Sequence, residues 1–181
     1  MKKLGYFFLI LCMVVTGSTV AYGSYDVYSA GPLNSFQIDF FIANSGPSTI
    51  SQITYTLQGD FVIDAVQSQS GPAGGTAAYF ETANVNKNVF GFNFTSFDVG
   101  DSFSFNWDPD KVGDPSYGAF ISDLVGTQVA LVTGTGTLNG TMVIDGTQNH
   151  LVTVFNQVPE PLTLMLLGLG LVGVAGLRRR M

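Results

Sequence analysis

The chain is 181 residues long, 46% hydrophobic and only 11% charged, with a net charge of −6 at neutral pH. An acidic surface repels nucleic acid and anionic headgroups, which excludes nucleic acid as a partner. One cysteine and one histidine exclude a disulfide framework and zinc sites of the usual cysteine and histidine kind.

Lys2 and Lys3 precede an apolar run from Leu4 to Val15, and small or polar residues follow from Thr16 to Thr19. A charged start, a short apolar run and a small-residue exit make a secretory signal peptide. Residues 1–23 are therefore expected to engage the Sec translocon as a signal helix, with signal peptidase cutting after Ala21 or Gly23. The run is shorter than the ~20 residues of a membrane span. Cys12 lies within it, behind Leu11 instead of the small residue a lipoprotein signal requires. The mature chain is thus expected to hold no cysteine and to rely on its core alone.

Residues 24–157 form the body, enough for one domain. It keeps only Lys87 and Lys111 as bases, against acidic residues spread from Asp26 to Asp145. Its pattern is β throughout. Phe36, Ile38, Phe40 and Ile42 alternate with Gln37, Asp39 and Phe41, the period of a half-buried strand. Asn44-Ser45-Gly46-Pro47 supplies turn chemistry, and Ile53, Tyr55 and Leu57 alternate in a second strand. Gly59-Asp60 turns into a strand from Phe61 to Val66, and the glycines and proline between Ser68 and Thr76 predict a loop. Phe90, Phe92 and Phe94 form one alternating set, and Phe103, Phe105 and Trp107 another. Asn139-Gly140 predicts a two-residue hairpin turn between Thr135–Leu138 and Met142–Ile144. Leu151 to Phe155 is the last strand. Short strands and recurring turns predict an all-β fold, a single antiparallel β-sandwich of roughly 8–10 strands. The segment from Phe36 to Leu57, with its Asn-Ser-Gly corner, resembles adhesin-type immunoglobulin-like modules.

One local constellation can bind a cation. Asp98 and Asp101 are followed by Asp108, Asp110 and Asp114. Calcium takes six to eight oxygens, and aspartates converging at one end of a sandwich supply them. Asp108, Asp110, Gly113 and Asp114 fit positions of a helical calcium loop, but Val112 and Ala119 break it, so a calcium site here has to be a β-loop site. The competing reading has these aspartates capping turns. No other cofactor is implied. His150, beside the final strand, lacks a nucleophile-elbow pattern to serve and is expected at the rim.

After Val158 come Pro159, Glu160 and Pro161, then an uncharged run from Leu162 to Leu177, then Arg178, Arg179 and Arg180. As a helix rising ~1.5 Å per residue the run is ~24 Å long, somewhat short of a ~30 Å hydrocarbon core. Snorkelling arginines and local thinning cover such a mismatch. The arginines are expected to stay cytoplasmic, leaving everything before Pro159 outside the inner membrane. The prolines resist helix formation and keep the segment outside the membrane extended.

The tail from 158 to 181 resembles the PEP-CTERM sorting signal in its Pro159-Glu160-Pro161, its hydrophobic helix at 162–177 and its basic end at 178–180. The resemblance implies a Gram-negative bacterium that makes exopolysaccharide, and cleavage or transfer near Pro-Glu-Pro by exosortase, a membrane-embedded cysteine transpeptidase-like enzyme. Taken together, the residues predict a non-catalytic exported protein of the cell surface or extracellular matrix, held transiently in the inner membrane and associated with exopolysaccharide or biofilm. A calcium-dependent carbohydrate-binding module is the alternative. A secreted hydrolase is the third reading; its aspartates are plentiful, but their spacing gives it no support.

Overall fold

The computed structural model describes residues 24–33, 38–81, 88–146 and 150–156. The signal segment 1–23 and the sorting tail 158–181, with the two flanking helices expected there, lie outside the described residues.

Eleven strands form one antiparallel sheet. They are β1 (Tyr25–Ala30), β2 (Ile38–Asn44), β3 (Ile50–Thr56), β4 (Phe61–Ser70), β5 (Thr76–Glu81) and β6 (Val89–Phe97). The rest are β7 (Ser102–Lys111), β8 (Asp114–Gly118), β9 (Gln128–Thr133), β10 (Gly136–Ile144) and β11 (Leu151–Phe155). The strand order is β4-β7-β2-β1-β11-β10-β9-β3-β6-β5, with β8 also pairing β7. Among the described residues the only helical turn is a 3-10 turn at Ile121–Leu124, which buries both of its end residues.

The sheet curls until its two halves meet, and alternation decides what lies between them. In β2, Ile38, Phe40 and Ile42 are buried while Asp39 is exposed; in β7, Phe103, Phe105 and Trp107 point inward. On the facing half, Tyr55 of β3 and Phe90, Phe92 and Phe94 of β6 do the same. Rings cross the gap between layers: Phe90 to Trp107 at 4.7 Å, Phe92 to Phe105 at 4.8 Å, Phe94 to Phe103 at 5.1 Å and Phe40 to Tyr55 at 6.0 Å. Two of these four pairs, Phe94 with Phe103 and Phe40 with Tyr55, are edge-to-face, an arrangement aromatic quadrupoles favour and one that contributes ~0.5–1.5 kcal/mol beyond burial. The expected sandwich is therefore present as one folded-over sheet.

The chain passes from one layer to the other at the corner between β6 and β7. Gly100 takes φ +97° there, a left-handed conformation that suits glycine. Asn44, at the end of β2 and only 1% exposed, clamps this corner. Its side-chain amide donates to the carbonyls of Phe97 (3.0 Å) and Ser48 (3.1 Å), and its Oδ1 accepts the Gly46 N–H at 3.2 Å. Its main chain accepts from the Gly100 N–H (2.7 Å) and donates to the Asp101 carbonyl (2.9 Å). The Asn-Ser-Gly turn read from the sequence thus also pins a distant corner.

The predicted hairpin turn at Asn139-Gly140 is not there. Strand β10 runs unbroken through both residues, and the turn lies at Gly134–Thr135, two residues after Val132. Gly140 has a packing role instead: a Cβ there would stand 2.7 Å from Thr153 Cγ2 and 2.8 Å from the Val154 carbonyl oxygen. A glycine required for close strand approach produces the same dipeptide as a turn. The loop predicted from Ser68 to Thr76 is also shorter, because β4 continues to Ser70.

Among the described residues, the buried polar atoms without a hydrogen-bond partner include the Tyr55 hydroxyl and the Trp107 Nε1 within the aromatic core. Burial pushes the Tyr55 phenol well above the usual tyrosine value. The native state then keeps this proton when the unfolded chain releases it near pH 10, so stability is intact below that pH and falls as pH rises beyond it. Tyr55→Phe removes an unpartnered hydroxyl, and thermal melts should place it within about 1 kcal/mol of wild type at pH 7. Above pH 10 the variant should lose Tm more slowly than wild type. Parallel alkaline curves would contradict this account.

Candidate functional site

The aspartates singled out in the sequence fall into separate groups. Asp98 and Asp101 sit in the β6–β7 corner, where the Asp101 carboxylate accepts the Asp98 N–H at 3.0 Å and the Asp101 N–H donates to the Asp98 carbonyl at 3.1 Å. Asp108 and Asp110 lie on the outward-facing side of β7, towards its far end. At ~3.3 Å per residue, Asp101 and Asp108 are roughly 23 Å apart along the strand. Asp114 begins β8, and its Oδ1 accepts from the Ser116 hydroxyl (2.6 Å) and N–H (3.2 Å). The five carboxylates do not converge. Among the described residues no three histidine, cysteine, aspartate or glutamate side chains gather to hold a metal. Asp101 and Asp114 serve as turn caps, the role aspartate takes when its carboxylate reaches a nearby N–H.

A different surface draws side chains together. On the outer face, the register aligns Ser104 of β7, Phe41 of β2, Tyr28 of β1, Val152 of β11 and Val143 of β10 in one row across five strands. Their inward neighbours, such as Phe40, Val27 and Phe105, fill the core, so period-two alternation commits this row to the outside. The Tyr28 and Phe41 rings stack at 5.4 Å with 14° between planes, and the His150 ring lies 6.0 Å from Tyr28. In the adjoining row the Asn106 amide donates to the Asp39 carboxylate at 2.8 Å.

An open depression flanks each ring. One of about 380 Å³, on the Tyr28 side, is lined by Asp26, Asp145, His150, Val152 and Thr153. The other, of about 330 Å³ beside Phe41, is lined by Ser70, Gly71, Asp101, Ser102 and Ser104 among others. Together they make a shallow strip in which an aromatic centre is bordered by carboxylates and hydroxyls. His150 belongs to this strip, beside the final strand where the sequence placed it.

The sequence pattern locates the strand of Phe41 but not that of Tyr28, which carries no strong alternating run of its own. Two further aromatics lie away from this strip. Tyr79 packs its ring against Phe92 at 5.7 Å and donates its hydroxyl to Glu81 at 3.1 Å. Burial first, and then that carboxylate, raise its phenol well above the ordinary value. Tyr117 is 41% exposed, under the Lys111 ammonium at 5.6 Å.

The tail connects to the body at a defined place. The pairing of Tyr28 with Val152 puts the start of β1 level with the end of β11, so both ends of the body leave from the same pole. Strand β11 lies mid-sheet between β1 and β10. From Phe155 to Pro159 the chain spans at most ~14 Å, which keeps the folded body close to any enzyme working at Pro159-Glu160-Pro161. Residues 157–180 match the family model for the PEP-CTERM protein-sorting motif. The chain carries a PEP-CTERM sorting tail. Such a tail marks an exported protein that exosortase sorts to the cell envelope or surface. The match covers the tail and leaves the body to its own structure. No curated protein and no solved structure matches the chain. Among the described residues no helix is long and apolar enough to cross a membrane; the PEP-CTERM segment from Leu162 to Leu177 lies outside them.

The described aspartates are split between a corner, a strand face and a turn. Adding EDTA or millimolar calcium to the protein should leave Tm unchanged within about a degree, the resolution of a careful melt compared with the several degrees that ~1 kcal/mol produces. A calcium-dependent rise of several degrees would show that the carboxylates converge after all.

Proposed function

We propose that the body is a non-catalytic component of the cell surface or extracellular matrix, and that it associates with exopolysaccharide through the outer strip around Tyr28 and Phe41. The observation that carries this reading is the stacked aromatic pair flanked by two open, polar depressions. A sugar ring has an apolar C–H face and a polar hydroxyl rim. Aromatic rings suit the first, and the carboxylates and hydroxyls of Asp26, Asp145, Ser70, Ser102 and Ser104 suit the second. An open strip accepts a polymer from either end, whereas a closed pocket selects a single small molecule. Neutral or cationic polymers fit best, because the body is acidic.

Delivery follows from the tail. Before processing, Leu162–Leu177 holds the chain in the inner membrane with Arg178–Arg180 on the cytoplasmic side and the body outside. Exosortase then acts near Pro159-Glu160-Pro161 and releases the body to the surface or medium, where biofilm structure is its setting.

Two measurements test this reading. The Tyr28→Ala/Phe41→Ala variant should stay folded by circular dichroism and lose at least tenfold in retention on immobilised exopolysaccharide from the native host; ~1.4 kcal/mol corresponds to each factor of ten. Unchanged retention would remove the strip from the binding surface. Intact mass of the protein recovered from the host medium should end near Pro159–Pro161, with or without added glycan. A sole form still carrying Arg180 and Met181 would make the tail a permanent anchor.

A further inference from the structure

A curled sheet that does not close has two edges, and here they differ. Strand β4, at one end, breaks register with β7 twice, between Ile63 and Ala65 and between Val66 and Ser68. Such irregularities twist an edge away from would-be partners. Strand β5, at the other end, reads Thr-Ala-Ala-Tyr-Phe-Glu and pairs with β6 without a break, from Thr76 with Thr95 to Glu81 with Phe90. It contains no proline, no lysine and no bulge, features that protect an exposed edge, and its one charge, Glu81, stands at its end.

The direction of the main-chain groups can be read from one contact. The Thr76 N–H donates towards β6, to Thr95 Oγ1 at 3.1 Å. With a period of two, Ala78 and Phe80 also direct their main-chain groups at β6, and Ala77 and Tyr79 direct theirs away from it. Among the described residues no strand pairs with that outer side.

We infer that two copies of this chain join edge to edge through β5, continuing the sheet across a two-fold axis centred on Ala78. An antiparallel partner has to place like-facing residues opposite each other, and a second copy of β5 in this register does so. Ala77 then lies opposite the partner's Tyr79, Thr76 opposite the partner's Phe80, and Ala78 opposite itself. Each large ring meets a small residue, a favourable cross-strand arrangement. The outward main-chain groups of Ala77 and Tyr79 find partners in both copies. The two Glu81 carboxylates stand at opposite ends of the ribbon, roughly 20 Å apart by strand rise, beyond the Debye length of ~8 Å at physiological salt. The acidic bodies as wholes repel each other, so association should strengthen as salt is raised. An isologous two-fold contact of this kind closes on itself, and it leaves the strip around Tyr28 and Phe41 exposed on both copies. The inference stands apart from the polysaccharide reading.

The test uses the full chain in its host with Cys12→Ser as background. In that background Ala78→Cys places one thiol at the two-fold, where opposed residues stand within disulfide reach, and Ser68→Cys places one on the β4 edge. Mild oxidation should convert most of the Ala78→Cys protein to a covalent homodimer and leave the Ser68→Cys protein monomeric. Adding Ala77→Pro to Ala78→Cys, which removes an outward N–H without touching the β6 pairing, should abolish the crosslink while the circular dichroism spectrum stays native. Absence of an Ala78→Cys homodimer, equal crosslinking at Ser68, or a crosslink to a different host protein would each overturn the inference.

Discussion

The fold depends on the meeting of two ring sets across one gap. Strands β6 and β7 are joined by a tight corner yet belong to opposite layers, and the contacts of Phe90 with Trp107, Phe92 with Phe105 and Phe94 with Phe103 hold those layers together. Held flat, the sheet would leave a face of phenylalanine in water on each half, and burying those faces against each other is what folds it over. The hydrophobic effect drives the closure, and quadrupole geometry orients the rings within it. With no cysteine expected in the mature body, this aromatic layer and the main-chain ladder carry the stability.

Closing the sheet also fixes what the surface can do. Once Phe40, Phe105 and Val27 are committed inward, Phe41, Ser104 and Tyr28 have to face out, and strand pairing sets them side by side. The stacked pair is thus a consequence of the same alternation that builds the core. Its position near the mid-sheet strands, clear of both edges, gives it a rigid base. The edges, by contrast, are where the sheet is incomplete, and their unequal protection separates a side that avoids contact from one that invites it.

The sorting tail and the body are linked through β11. Strand β11 lies mid-sheet between β1 and β10, so the fold is complete only once the residues just before the tail have paired. The short reach from Phe155 to Pro159 means that the processing enzyme meets a folded body close by. A PEP-CTERM tail and a body that ends in a central strand are in that sense one arrangement.

Much of this was legible in the sequence. The phenylalanine alternations located β2, β6 and β7, the apolar run from Leu151 to Phe155 located β11, and Pro159-Glu160-Pro161 with its hydrophobic run and arginines identified the tail. These are local signals, set by strand period, by membrane thickness and by a motif read as an extended peptide. Tertiary structure alone decided the rest. It showed that Asn139-Gly140 lies within a strand paired to β9 and β11, where Thr153 leaves no room for a side chain at Gly140, that Asp98 and Asp101 build a corner held by Asn44, and that Tyr28 meets Phe41. Each of these depends on which strands become neighbours, and in an antiparallel sheet that is settled by partners far away in the chain, where a single sequence carries no periodic signal.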